Sequence, residues 1–247
     1  MSNYTWIPMF EVITNWLQGY ENKQEELVSI LKEIGIDNGL TDENEQGEDI
    51  PLTEIDPFTF FSFILKFGNE NRIILFGKLI ERASLNIEVP SDFDGVPSVQ
   101  AVNAWLFPYS LKRKSDMIPT LWEVFKRAGS NSLDDELISR ALAIPNTGFT
   151  KLTQCLFYAY PDKYLPIDRQ TRPWLVSQGI VHEEESWTSY NHCLNQVKVS
   201  SNKAFSEISF LAWQENKRTE IRADTPSYAN ESSWIDPEVE SDLNPIP

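Results

Sequence analysis

The chain has 247 residues, 41% hydrophobic and 12% aromatic content, and a net charge of −16. That composition excludes a disordered polymer and is enough for one full hydrophobic core. No apolar run is long enough for a bilayer span, the first residues (Met-Ser-Asn-Tyr-Thr-Trp) lack the features of a secretory signal, and two cysteines, Cys155 and Cys193, cannot make a disulfide framework. The reading is a protein of the reducing cytoplasm with both thiols buried. The charge is uneven: residues 1–59 hold 2 basic and 13 acidic groups, residues 60–180 hold 14 and 12, and residues 181–247 hold 5 and 12. Acidic ends disfavour indiscriminate contact with nucleic acid, whereas the middle third can still present a local basic face.

In chain order, helical periodicity dominates. Residues 4–20 place Trp6, Phe10, Ile13 and Leu17 on one stripe. Asn22 is the expected cap of a second helix, which buries Leu27, Ile30, Leu31 and Ile34 and stops at Gly35. Residues 37–56 are acidic and aperiodic, and read as a mobile surface loop. Asp56-Pro57 has the N-cap and first-position chemistry of a helix start, and the run Phe58-Thr-Phe-Phe-Ser-Phe-Ile-Leu behind it is too apolar to have a solvent face.

A further helix is expected over 70–84, then an irregular loop over 88–98, with any short strands confined to 85–110. Helices follow near 117–128 and 133–143, after the basic run Lys112-Arg113-Lys114. Beyond the Gly148 turn and its helix, three more are expected near 168–177, 186–199 and 203–216. Residues 219–247 read as an acidic linker or tail, ordered only by something docking on Trp234. The fold class is therefore all-α: one helical domain over 1–218.

The stretch from Ile144 to Arg172 carries the most chemistry. Ile144-Pro-Asn-Thr-Gly148 is a turn in which Gly148 can take a positive φ and bring backbone amides close to a ligand. Helix starts of this kind suit phosphate. Asp168 then stands at the head of another helix, with Arg169 and Arg172 on its first turn, placed to clamp a phosphate or to pair with nearby acids. Lys112, Arg113 and Lys114, beside Tyr109 and Trp105, interleave cations with aromatics as a strand-contacting surface does, and also as a solvated loop does. Asp92 and Asp94 flank Phe93 without a third metal ligand, and His182 and His192 have no nucleophile near them. No metal site, triad or cofactor is expected.

Two families share these residues. Ile144, Pro145, Asn146, Thr147 and Gly148, followed after a helix by Asp168, resemble the helix-hairpin-helix and catalytic-Asp segment of base-excision DNA glycosylases. The resemblance implies a phosphate held on the hairpin amides, with Asp168 assisting attack at the sugar carbon and Lys151 near the position of the nucleophilic lysine. An N-cap Asp occupies the same geometry as a catalytic one, so both readings of Asp168 stay open. A second resemblance runs from about residue 5 to 175. Trp6-Ile-Pro-Met-Phe-Glu, Ile55-Asp-Pro-Phe-Thr-Phe-Phe-Ser-Phe, Val89-Pro-Ser-Asp-Phe-Asp-Gly-Val-Pro, Trp105-Leu-Phe-Pro-Tyr and Leu121-Trp-Glu-Val-Phe are similar to the N-terminal region of McrB-like (5-methylcytosine-specific restriction enzyme B type) proteins. It implies a module that recognises DNA, with modified bases among its targets, and that works in defence with an AAA+ motor and a partner nuclease. The chain itself has no G-x-x-x-x-G-K-[ST] loop, so nucleotide hydrolysis is not expected within it.

The expected function is thus non-catalytic DNA recognition through Asn146, Thr147, Gly148, Lys151, Arg169, Arg172, Lys112, Arg113 and Lys114. The alternatives are a glycosylase-like enzyme using Asp168, with or without Lys151, and an adaptor whose acidic ends contact a basic protein.

Overall fold

Helix starts and stops follow local chemistry closely in the computed structural model, which describes residues 4–100, 104–180 and 184–224, with side chains as far as 218. Helix α1 (Trp6–Leu17) turns Trp6, Met9, Phe10, Ile13 and Leu17 inward and continues as a 3-10 turn over Gln18–Tyr20. Helix α2 (Gln24–Glu33) buries Leu27, Val28, Ile30 and Leu31. It ends where Gly35 takes φ +103° and the Ile36 amide donates back to the Leu31 carbonyl, a left-handed C-terminal cap. Its N-cap is Lys23, not Asn22. The side chain of Gln24 stabilises that corner instead, donating to the Glu21 carbonyl and accepting from the Ile55 amide.

Helix α3 (Pro57–Leu65) is the axis of the fold. Every one of its residues is buried, and it packs against α2, α4 (Asn69–Arg82), α5 (Met117–Gly129) and α7 (Phe149–Ala159). Asp56 closes its start, with Oδ1 accepting the amides of Phe58 and Thr59 and Oδ2 accepting the Thr59 hydroxyl. Phe10 of α1 meets Phe61, Phe76, Phe93 and Tyr158 at ring-centroid distances of 5.6 to 6.5 Å. Truncating one such fully buried ring to alanine typically costs about 3–5 kcal/mol.

Helix α6 (Asp135–Leu142) starts on an Asp134 cap, packs against α5, and is joined to α7 by a short turn. After α8 (Thr171–Ser177), helix α9 (Trp187–Ser200) starts on a Ser186 cap, and α10 (Phe205–Asp224) lies across α8. Helix α10 extends past residue 218, where a linker was expected, while Trp234 lies outside the described residues. Gly95 seats it: φ there is +82°, and a Cβ would come within 2.6 Å of the Phe210 Cα. Ser209 donates to the Gly95 carbonyl, and Tyr4 stacks edge-on to Phe210, so a loop, the residues leading into α1 and helix α10 meet at one point.

The mainly-α class holds, with ten α-helices and two strands among the described residues. The strands are not in 85–110. They lie inside the acidic stretch, where β1 (Thr41–Glu43) pairs antiparallel with β2 (Asp49–Pro51). Asn44 Oδ1 accepts the Gln46 and Glu48 amides, and Gly47 turns the chain at φ +76°. The expected mobile loop is therefore a hairpin, fixed by an acid that faces inward. Asp42, 2% exposed, accepts the Ser110 amide at 2.7 Å and pairs with Arg113 at 2.8 Å.

Candidate nucleic-acid interface

The turn between α6 and α7 differs from expectation in one informative way. Asn146 takes the left-handed conformation, at φ +75°, and Gly148 sits at φ −91°, ψ 160°, as the N-cap of α7. Asparagine tolerates that region because its short amide can bond locally; here the amide donates to the Phe107 carbonyl. Neither backbone conformation nor crowding requires glycine at 148. A Cβ there would meet nothing within 4 Å, and no side chain caps the helix. The first-turn amides of α7 carry the partial positive charge of a helix start.

Three of the expected contact residues turn inward. The Thr147 hydroxyl donates to the Leu106 carbonyl, and Lys151 Nζ donates to the carbonyls of Trp105 (2.7 Å) and Asn146 (2.8 Å). With Asn146 on Phe107, the hairpin grips three consecutive carbonyls of residues 105–107. Burial holds the Lys151 ammonium below its ordinary pKa, and its two carbonyl acceptors favour a structural cation over a nucleophile.

Across from the turn, Asp168 is 5% exposed. Its Oδ1 accepts the amides of Gln170 (2.9 Å) and Thr171 (3.0 Å), and its Oδ2 accepts Gln154 Nε2 at 3.0 Å. The Thr171 hydroxyl also accepts the Asp168 amide, so the pair caps the start of α8 reciprocally. Arg169 and Arg172 are exposed, and Arg172 Nη2 reaches the Thr150 hydroxyl on the first turn of α7 at 3.4 Å. The corner at 168–172 and the start of α7 thus share one cleft of about 940 Å³, lined by Ser98, Gly148, Thr150, Lys151, Gln154, Asp168 and Arg169 among others. Behind Ser98, the 2% exposed Arg72 donates to its hydroxyl and to the carbonyls of Leu65 and Phe67.

Sequence reading missed Gln154 and Ser98. Thr150, Lys151 and Gln154 stand at helical spacing on one face of α7, a signal that was available; nothing local marks Ser98.

The run at 112–114 is split. Lys112 and Lys114 are exposed, but Arg113 folds in between Asp42 and Glu54 and over the Phe107 ring, 5.1 Å from its centroid. None of the three lines the cleft, although the clasp on residues 105–107 brings their loop against the hairpin turn. Asp92 accepts the Asp94 amide in a tight turn, and Asn69 donates to Asp94. His192 is exposed, His182 lies outside the described residues, and Cys155 and Cys193 are buried with thiols held above their ordinary pKa by desolvation. Among the described residues no group of three His, Cys, Asp or Glu could hold a metal, and no helix is long and apolar enough to cross a membrane.

Residues 6–215 match the family described as Domain of unknown function (DUF8425), and the chain belongs to that family. No curated protein and no solved structure matches it.

Proposed function

We propose that this member of the DUF8425 family is a helical DNA-recognition module that holds backbone phosphates at the start of α7 and is not itself a catalyst. The observation that carries the reading is the uncapped first turn of α7, which opens at Gly148 onto a cleft shared with the exposed Arg169 and rimmed by Arg172. Backbone amides with two guanidinium groups beside them are a phosphate site. Asn146, Thr147 and Lys151 serve it indirectly by fixing the turn to residues 105–107. The acidic segments that precede and follow the middle third in sequence disfavour indiscriminate contact with polyanions. The similarity to the N-terminal region of McrB-like proteins supports a place in cytoplasmic restriction of foreign DNA, beside an AAA+ motor and a nuclease, with modified duplex among the targets. Gel-shift titration of the full chain with plain and base-modified duplex tests this. Shifted complexes that weaken steeply with salt are expected; no shift at low salt ends the reading.

One observation favours a second reading: Asp168 lines the same cleft. In a glycosylase-like enzyme its Oδ2, bonded to the neutral Gln154, would face the sugar. Duplex carrying damaged or modified bases, incubated with wild type and with Asp168→Asn, separates the two. Base release by wild type alone supports catalysis, and equal or absent product leaves Asp168 as the cap of α8.

A further inference from the structure

Residues 105–114 contain no regular structure beyond a 3-10 turn over Ser110–Lys112, yet the segment is fixed on both sides. The hairpin clasp takes its carbonyls at 105–107, Trp105 Nε1 donates to the Gly39 carbonyl, and Asp42 holds both the Ser110 amide and the Arg113 guanidinium. Anchoring of this density holds an outward surface in one shape. That surface is unusual for a solvated loop. Tyr109 is 51% exposed and meets the half-buried Trp105 edge to face at 5.2 Å; Leu111 is 42% exposed; Lys112 and Lys114 flank them in solvent. Arg113 pairs with the nearby Asp42 and Glu54, and the exposed Lys112 and Lys114 bring two further positive charges to this loop, with the exposed Asp116 beyond them.

We propose that Tyr109, edged by Trp105 and flanked by Lys112 and Lys114, is a stacking platform for an unpaired base, so that the preferred ligand is DNA with a single-stranded stretch beside a duplex. This rests on the phosphate-binding reading of the α7 turn and names its substrate class. Bases of any kind offer a flat face to a tyrosine ring, and ammonium groups on the same loop can donate to the adjoining phosphates. The clasp ties this loop to the turn at 146–148, so one anchored unit carries both the ring and the start of α7. An apolar patch without flanking cations would suit a protein partner or a second copy of the chain equally well; the paired lysines favour a polyanion.

The test is fluorescence anisotropy of the full chain at low salt with a blunt duplex and with the same duplex carrying a short thymidine overhang. Wild type is expected to bind the overhang about tenfold more tightly, Tyr109→Phe to keep that advantage, and Tyr109→Ala to lose it while holding the blunt duplex unchanged. Equal affinity for both ligands in wild type, or an advantage that survives Tyr109→Ala, overturns the platform and leaves phosphate binding at α7 standing. No binding of either ligand overturns both. Concentration-dependent self-association that Tyr109→Ala abolishes, with no overhang preference, assigns the patch to a second copy of the chain and overturns the proposal. Tyr109 is half exposed, so circular dichroism melts of the variants are expected to match wild type.

Discussion

Helices α3 and α7 lie side by side in the core and begin in opposite ways. α3 starts on Asp56, a fully buried carboxylate that takes two amides and a hydroxyl from its own first turn. α7 starts on Gly148, with no side chain over its amides and open space where a Cβ would be. The first helix supplies its own anion and is closed to any other; the second leaves the same chemistry unanswered and turns it toward a cleft. An open start is not peculiar to α7: α4 begins on Gly68 with no side-chain cap and room for a Cβ. What sets α7 apart is the cleft its first turn faces, shared with Asp168 and Arg169, since the backbone groups are identical at every helix start.

Four outcomes sharpen or break that contrast. The largest is expected from Asp56→Ala, which removes the cap and strands the Thr59 hydroxyl that also accepts the Leu106 amide. A loss of about 3 kcal/mol in urea unfolding is expected, from cap loss and unpaired buried donors together. A loss below about 1 kcal/mol would mean that α3 does not depend on its internal anion.

Next is the pH dependence of the same group. Burial raises the Asp56 carboxyl from 3.8 to about 6, against the opposing hydrogen bonds from Thr59 and Phe58. A folded pKa above the unfolded one means that the folded chain holds the proton more tightly. Its contribution is therefore complete below about pH 4 and is lost as pH rises through about 6, some 3 kcal/mol in all. The stability difference between wild type and Asp56→Asn, followed from pH 4 to 7, should move by that order against wild type. A flat difference contradicts the shift.

Third, Gly148→Asp places a carboxylate over the open amides of α7. The backbone at 148 accommodates any L-residue, so a gain of a few tenths of a kcal/mol in stability is expected, together with at least a tenfold loss of DNA affinity. Tighter binding in the variant would break the contrast. The smallest effect is that of Arg172→Ala: an unchanged melting temperature, a several-fold weaker complex, and a salt slope reduced by about one.

How much of this was readable from sequence depends on how local the determinant is. Asp56-Pro57, the aromatic run behind it and the stop at Gly35 carry their reasons within a few residues, and they fold as read. The hairpin at 41–51 was not legible. Neither Thr-Asp-Glu nor Asp-Ile-Pro alternates in hydrophobicity, and what fixes the hairpin is Asp42 meeting Arg113 far along the chain. At the α7 turn the sequence shows that a left-handed residue is needed, but Asn146 and Gly148 both satisfy the rule. Only the Phe107 carbonyl, brought in by tertiary packing, selects Asn146. The same holds for the site. Arg169, Arg172 and Asp168 were visible as a cluster, whereas the inward turn of Thr147, Lys151 and Arg113 depends on carbonyls and acids that no spacing rule reveals.

The seat of α10 has a consequence for how the protein is made. Because Phe210 closes over Gly95 and against Tyr4, the turn at Gly95 and the residues leading into α1 are covered only when α10 arrives. On the ribosome, Tyr4 waits for this contact until some two hundred residues later have emerged, about 10–40 s at ordinary rates of synthesis, and the turn at Gly95 waits for a little over half of that. Docking of α10 is then a late event in synthesis, and a substitution at this seat that is felt only after docking changes the rate of unfolding more than the rate of folding.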